Sequence, residues 1–281
     1  MTEQYHHFIP KIEIGSWVQN LVEFLEKHDA VFMGISDGLE WFVNQLVNVF
    51  SMIHPFVFII IIAALAFWRS GIGVAIFSLI GLWLIFNLGY WDDTLQTIAL
   101  IITSVVISII IGIPFGIWVG LNNTAKNIIT PILDFMQTMP AFVYLIPMVI
   151  LFGLGPGPGI VATVIFSMPP TIRLTGLGIR QVPEDLVEAS EAFGSTMPQK
   201  LFKVQLPLAK STIMAGINQS IMLALSMVVI ASLVAAPGLG KDVYRAVTQL
   251  QIDVGAESGL AIVIIAIVLD RISQNIRKQK N

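Results

Sequence analysis

Seven stretches of mainly apolar residues run through this chain between residues 50 and 271, and they constrain its fold more than any other feature. A helix needs roughly 20 apolar residues to cross a bilayer, and most of the stretches approach that length. Of the 281 residues, 56% are hydrophobic and 12% are charged, a composition too apolar for an ordinary soluble domain. The sequence therefore predicts an all-α integral membrane protein with about seven transmembrane helices. They are expected at 50–68, 71–90, 95–120, 128–152, 158–172, 211–236 and 257–271, the fifth and last being short or broken.

Residues 1–50 precede these stretches and carry two apolar stripes at helical spacing. The pattern is typical of amphipathic helices that lie externally, along the membrane surface or against the helical bundle. A small folded N-terminal layer explains it equally well. No basic segment followed by an apolar core begins the chain, so no cleaved signal peptide is expected. The first stripe comprises Trp17, Leu21, Phe24 and Leu25, and the second comprises Leu39, Phe42, Val43, Leu46 and Phe50.

The basic residues orient the predicted helices. If the polar segment near residue 190 is cytoplasmic, eleven lysines and arginines lie inside and four lie outside, as the positive-inside rule requires. The acidic N-terminal segment is then external, and residues 274–281 form a basic cytoplasmic tail. The inside set is Arg69, Lys126, Arg173, Arg180, Lys200, Lys203, Lys210, Arg271, Arg277, Lys278 and Lys280, and the outside set is Lys11, Lys27, Lys241 and Arg245.

One long polar segment interrupts the membrane pattern, EASEAFGSTMPQKLFKVQLP, beginning at Glu188. Gly194 suits the left-handed turn that ends a helix. Thr196 and Gln199 have the spacing of a capping box for a second helix, which Pro207 should disrupt because proline lacks a backbone donor. The expected shape is two helices around a glycine corner, a projection suited to docking in a partner's cleft. A solvated surface helix is the plainer alternative.

The chain carries no recognisable motif for binding ATP or a metal ion. It lacks a phosphate-binding loop, and its four histidines do not have the spacing of a zinc site. It has no cysteine, and its net charge of -3 argues against a nucleic acid partner. Asp134 and Asp270 lie near predicted cytoplasmic helix ends, and neither has an obvious buried partner. An energy source on another chain explains these observations better than proton relay through one or two acids.

The spacing within the polar segment resembles the cytoplasmic loop signature of ABC import permeases, in which Glu-Ala-Ala, a glycine and (Ile/Val)-x-Leu-Pro recur at these intervals. The signature here reads EAS from Glu188, then Gly194, and closes with VQLP at 204–207. Ser190 replaces the second alanine, a small residue for another small residue.

The resemblance extends over roughly two thirds of the chain. LDFMQTMPAFVYLIP at 133–147, FKVQLPLAKSTIMAGINQSIMLALSMVVIASLVAAPGLG at 202–240 and VIIAIVLDRIS at 263–273 resemble the permease subunit of glycine betaine/proline betaine ABC importers. The resemblance does not assign a role to residues 1–50.

This resemblance implies the type I ABC importer permease fold: a permease core at 95–273 with a cytoplasmic coupling loop at 181–208, preceded by two transmembrane helices at 51–94. It further implies a homodimer in the bacterial plasma (inner) membrane, with two cytoplasmic ATPase subunits and an extracellular or periplasmic binding protein as partners. The chain is then no enzyme and holds no cofactor, since the ATPase binds ATP and magnesium. Glu188, Ala189, Ser190, Glu191, Gly194 and Ser195 are expected at the ATPase contact, with Leu206 and Pro207 supporting the return of the loop to the membrane.

Two groups of residues are candidates for the translocation pathway. Met139, Phe142 and Tyr144 lie on one predicted crossing, and aromatic faces bind quaternary ammonium groups well, although packing is the commoner role of such residues. Asn218 and Gln219 place polar groups early in the sixth crossing, where they either hold helices together or line a route.

Three hypotheses follow. The first is the permease subunit of an osmoprotectant importer, which couples ATP hydrolysis in a partner to inward passage of glycine betaine or a relative. The second keeps the permease but changes the cargo to choline, carnitine, a sulfonate or an amino acid. The third is a self-sufficient channel or secondary transporter that uses Asp134 or Asp270.

Overall fold

The computed structural model describes residues 14–274, and all regular secondary structure in that range is helical. A π-helical segment occupies Leu201–Gln205, and a 3₁₀ turn occupies Ser232–Val234. The α-helices are α1 (Ile14–Glu26), α2 (Asp29–Ser51), α3 (Pro55–Ser70), α4 (Ile72–Asn87), α5 (Trp91–Leu121), α6 (Asn123–Thr138), α7 (Ala141–Phe152), α8 (Pro156–Arg180), α9 (Glu184–Ala192), α10 (Met197–Lys200), α11 (Leu206–Ala231), α12 (Leu239–Gln249) and α13 (Ile252–Gln274).

Four helical stretches in the described range are long and apolar enough to cross a membrane: α5, α8, the stretch Met197–Val234 that contains α11, and α13. Two helix pairs, α2 with α3 and α6 with α7, meet the same criteria together but bend by 98° at a short break. They raise the total to six if each pair is one span. The remaining predicted stretch, 71–90, is α4, whose 16 residues rise roughly 24 Å against a hydrocarbon core of about 30 Å.

The stretch predicted as one crossing at 128–152 is broken in its middle, where α6 and α7 meet at 98°. Met139, between the two helices, is extended with φ -69° and ψ 136°. The residue before a proline disfavours the helical conformation, and Pro140 itself offers no amide hydrogen. The Tyr144 hydroxyl donates to the carbonyl oxygen of Met136 across the break. This hydrogen bond ties the two helices together at the bend.

The centre of the molecule is formed by α5, α8 and α11, which approach one another closely. Gly112, Gly116 and Gly120 recur every four residues on α5 and face α8. A Cβ atom at Gly116 would lie 2.5 Å from the Cβ of Thr175, so the backbones meet where no side chain fits. Buried hydroxyl pairs cross the same interfaces: Ser108 with Ser167 at 3.1 Å and Thr171 with Ser220 at 2.7 Å.

The two N-terminal apolar stripes lie on α1 and α2. Val43 on α2 is 2% exposed and packs in a cluster formed with α5 and α8. On α1, by contrast, Trp17 and Phe24 are 66% and 58% exposed, so most of the first stripe faces away from the bundle. An exposed apolar stripe of this kind suits contact with lipid at the membrane surface.

Candidate functional site

The first helix of the polar segment, α9, projects from the helical core. None of its nine residues is buried. Pro183 is its N-cap, and Glu184 and Asp185 occupy the first turn, where the helix dipole favours negative charge. Glu188 and Ala189 continue the helix as exposed residues. The start of the predicted coupling loop is therefore a short, stable helix that is open to contact from outside.

The corner after α9 depends on the backbone of Gly194. Its φ of +79° lies in the left-handed region that favours glycine. The Gly194 amide donates to the Glu191 carbonyl at 2.8 Å, and the Ser195 amide donates to the Ser190 carbonyl at 3.1 Å. These bonds satisfy carbonyl groups at the end of the helix. The space around Gly194 is open, so conformation and not crowding requires glycine here.

Side chains brace the loop across this corner. The Ser195 hydroxyl donates to the Ser190 hydroxyl at 3.3 Å. The Lys200 ammonium forms an ion pair with the Glu191 carboxylate, which joins α10 to α9. The Lys200 side chain is 14% exposed but that of Glu191 is 54% exposed, so the pair is partly screened by solvent and contributes modestly. The two halves of the loop are thus held at a fixed angle.

The second helix of the loop starts as expected but does not end at Pro207. The Thr196 amide donates to Gln199 Oε1 at 2.9 Å within the predicted capping box. The expected disruption at Pro207 takes the form of a break in the regular α-helical pattern, because this residue lies in the first turn of α11, directly after the π-helical segment Leu201–Gln205. The wider π turn accommodates the missing amide and the proline ring. The loop therefore continues into the core as helix.

Arg180, the last residue of α8, links the loop to the junction of α5 and α6. Its Nε and Nη2 donate to the Val119 carbonyl at 3.2 and 2.7 Å, and its Nη1 donates to Asn123 Oδ1 at 2.7 Å. The Val119 carbonyl is among the last of α5, where no intrahelical partner exists. The sequence did not predict these hydrogen bonds, because in the sequence Arg180 is only one of eleven basic residues expected on the cytoplasmic side.

Large apolar side chains project around the glycine corner. Phe193 is 94% exposed, Met197 is 64% exposed and Phe202 is 66% exposed. Exposed apolar groups beside charged ones are typical of a surface that contacts another protein. The corner therefore combines a fixed shape with an apolar tip.

The aromatic residues proposed for the translocation pathway differ in exposure. Tyr144 is 7% exposed and belongs to a core cluster against which Met139 packs. Phe142 is 58% exposed on α7. Of the three candidates on this stretch, Phe142 alone presents most of its side chain to the surroundings. The pathway role of all three stays a prediction.

Asn218 and Gln219 lie together on the wall of a cavity of about 420 Å³. The Asn218 Oδ1 is buried, and no donor in the described chain reaches it. The cavity is lined by four helices, α6, α8, α11 and α13, so no single segment of the sequence predicts it. Its lining residues are Gln137, Pro170, Asn218, Gln219, Met222, Leu223, Asp270 and Gln274.

The two acidic residues near the predicted cytoplasmic ends have different surroundings. Asp134 forms an ion pair with Arg173, which joins α6 to α8, and this partner is partly exposed and not buried. Asp270 accepts a hydrogen bond from Gln274 on its own helix and faces the cavity. Among residues 14–274 no group of three or more histidine, aspartate or glutamate side chains could hold a metal ion.

A second charged region lies at the opposite ends of the core helices, around α12. Burial, and then the neighbouring Asp93 carboxylate, raise the pKa of Asp242, while Lys241 and Arg245 lower it in part. One carboxylate oxygen of Asp242 is buried, and nothing in the described chain donates to it. The charged form of this residue is therefore poorly solvated.

Comparison with known proteins identifies the family. Residues 112–278 match the binding-protein-dependent transport system inner membrane component family. The chain is 59% identical to the glycine betaine transport system permease protein OpuAB of Bacillus subtilis over 97% of both chains. It is 53% identical to the glycine betaine/carnitine transport permease protein GbuB of Listeria monocytogenes, over 96% of this chain and 98% of GbuB. Identity to the glycine betaine/proline betaine permease ProW of Escherichia coli is 47%, over 94% of this chain and 75% of ProW.

The solved structures of the methionine ABC transporter MetNI in inward-facing conformations contain a chain of the same fold. It superposes with a TM-score of 0.60 over 66% of this chain and 94% of that chain, at 20% sequence identity. This likeness confirms the predicted type I importer permease fold. The chain belongs to the family of binding-protein-dependent transport system inner membrane components, multi-pass proteins of the bacterial plasma membrane.

Proposed function

We propose that this chain is the transmembrane permease subunit of an ATP-driven importer of glycine betaine or a related quaternary ammonium osmoprotectant. The observation that carries the proposal is the braced, exposed loop at 181–208, in a chain similar over nearly its full length to permeases named for glycine betaine. The sequence has no phosphate-binding loop. The ATPase activity therefore resides in a partner, which binds ATP and magnesium.

The loop docks on that ATPase. Its contact surface consists of the α9 helix and the glycine corner, and the apolar tip at Phe193 fills a pocket of the partner. Movement of the ATPase reaches α11 through the continuous helix after the corner, and reaches the α5–α6 junction through Arg180. The residues at the contact are Glu188, Ala189, Ser190, Glu191, Gly194 and Ser195, and Leu206 and Pro207 support the return to the core.

The working assembly contains two copies of this chain, two ATPase subunits and an external binding protein. Each chain supplies one loop, so an ATPase pair with two docking sites needs two chains. Gln219 supports this arrangement, because it is an exposed polar residue on α11 and a polar side chain on a spanning helix needs protein or water beside it. Lipid covers the exposed apolar faces, including that of α1.

Uptake by the reconstituted complex tests the cargo. Proteoliposomes that contain the permease, its ATPase and internal ATP are supplied with the cognate binding protein and labelled glycine betaine. We expect uptake that requires both ATP and the binding protein and that falls when unlabelled glycine betaine competes. ATP-dependent uptake that glycine betaine does not reduce would reassign the cargo.

Carnitine is the second candidate cargo, because one relative of nearly equal length is named for glycine betaine and carnitine together. The same competition assay with carnitine, choline, a sulfonate or an amino acid separates the cargoes. The remaining alternative, a self-sufficient channel or secondary transporter, requires flux in liposomes that contain this chain without an ATPase. The ion pair of Asp134 with Arg173 leaves that alternative with one fewer unpaired acid.

A further inference from the structure

The cavity beside Asn218 and Gln219 lies toward the cytoplasmic ends of the core helices. Asp270 is four residues from the C-terminal end of α13. The loop before α11 is predicted to be cytoplasmic, so α11 runs outward. After the external helix α12, α13 therefore runs inward and ends on the cytoplasmic side. Gln137 lies at the end of α6, directly before the bend. The cavity thus occupies the cytoplasmic half of the membrane domain. It lies between α8 and α11, which connect to the coupling loop, and α6 and α13, which do not.

The lining of this cavity is polar for a membrane domain, and in the single chain the cavity is an open groove, since Gln137, Gln219, Met222 and Gln274 are exposed. Five of its eight residues carry an amide or carboxylate group. Such groups on spanning helices are costly in lipid and mark protein contacts or water-filled routes. The buried Oδ1 of Asn218 lacks a donor in the described chain, so it can accept a hydrogen bond from a group outside this chain.

Within residues 14–274 the charge of Asp270 is not paired with a basic side chain. Its recorded partner is the neutral side chain of Gln274. Met222 and Leu223 supply apolar surface on the same wall. A quaternary ammonium group cannot donate hydrogen bonds, so it is held by negative charge and apolar contact together.

We propose that this cavity is a weak binding site for a zwitterionic quaternary ammonium solute on the inner part of the translocation route. Asp270 faces the ammonium end, and the amide groups of Asn218 and Gln219 face the carboxylate end. The inference rests on the proposed function and extends it to named residues. The volume of about 420 Å³ leaves room for water beside a small solute, which favours release over retention.

Reaction of an introduced cysteine with charged thiol reagents tests the site directly, because the natural chain contains no cysteine. Met222→Cys places a thiol on the cavity wall of the full chain in complex with its ATPase. A trimethylammonium methanethiosulfonate and a sulfonate methanethiosulfonate are compared, each normalised to its rate with a free thiol. We expect the cationic reagent to be favoured about tenfold, and glycine betaine to slow it.

Adding Asp270→Asn should abolish the preference for the cation, whereas Asp270→Glu should retain it. Asp253→Asn is the matched control, since it removes the same charge at the other end of α13 and should change nothing. A preference that survives Asp270→Asn, equal rates for both reagents, or no reaction at the introduced thiol in a correctly assembled complex would each overturn the site. If cation preference persists but ATP-driven uptake is absent, the proposed function fails and the cavity assignment stands.

Discussion

At the scale of single residues, Gly194 sets the direction in which the two halves of the coupling loop leave the corner. Its φ of +79° is the reason, since the space where a Cβ atom would lie is open. A substitution therefore acts through backbone strain and not through a clash. Residues that tolerate the left-handed region should be accepted better than β-branched ones.

We expect Gly194→Val to cost about 1–2 kcal/mol in the loop conformation, and to reduce ATP-driven uptake about tenfold or more. Gly194→Asn should retain most of the activity, because asparagine visits the left-handed region readily. Uptake and membrane insertion are measured together. Equal activity of both variants at wild-type level would show that the corner does not govern coupling.

Phe193 is the residue on which we expect ATPase affinity to depend most. Its side chain is 94% exposed in the isolated chain, and large aromatic groups at the centre of an interface commonly contribute 2 kcal/mol or more. Phe193→Ala should weaken ATPase binding roughly 30-fold, measured by titration of the purified permease with ATPase. Val247→Ala, at an exposed apolar position on α12, is the control and should leave binding unchanged.

We expect Asp242 to make the stability of the folded protein depend on pH. Burial and the Asp93 carboxylate raise the pKa of Asp242 above its ordinary 3.8, so the folded protein binds the proton more tightly than the unfolded chain. The stability contributed by that proton is present below the ordinary pKa and is lost as the pH rises through the folded pKa. Asp242→Asn should therefore raise the thermal unfolding midpoint at pH 7.5, with a smaller gain at pH 4.5. A gain that increases toward low pH would contradict this account.

At the scale of helices, the glycines of α5 determine how closely α8 can approach. A Cβ atom at Gly116 would lie 2.5 Å from the Thr175 Cβ and 2.8 Å from the Ile172 carbonyl oxygen. Neither atom belongs to a flexible side-chain end, so the helices must separate to admit it. Crowding of this kind typically costs about 1–3 kcal/mol.

Gly116→Ala should therefore lower the thermal unfolding midpoint of the purified chain. Gly73→Ala on α4 is the matched control, because nothing lies within 4 Å of the added Cβ atom and alanine favours helix. Its midpoint should be unchanged or slightly higher. Equal effects of the two substitutions would show that α5 and α8 are not packed at the described distance.

The helices show what a sequence pattern can and cannot predict. Apolar stretches predicted where helices lie, because length and composition are local properties. They did not predict the 98° break at Met139 and Pro140, since hydropathy carries no information about direction. The form of the disruption at Pro207 was not predictable for a related reason: a π-helical segment accommodates the ring, and nothing in the local residue types demands one.

At the scale of the whole molecule, the shape of the polar loop, two helices around a glycine corner, was predictable because its residues are contiguous. The cavity was only partly predictable. Asn218 and Gln219 were recognisable as polar residues in an apolar stretch, but Gln137 and Asp270 join them only because α6 packs against α8 and α13 packs beside α11. The Arg180 link likewise depends on the distance between two helix ends.

The central claim is that the coupling loop makes this chain the membrane partner of an external ATPase in a betaine importer. Purification of the chain from its native membrane, with identification of bound subunits and measurement of ATPase activity, tests it most directly. The account predicts two ATPase copies for two permease copies, and ATP hydrolysis that rises when betaine-loaded binding protein is added. Purification without any ATPase, together with solute flux through the chain alone in liposomes, would contradict it.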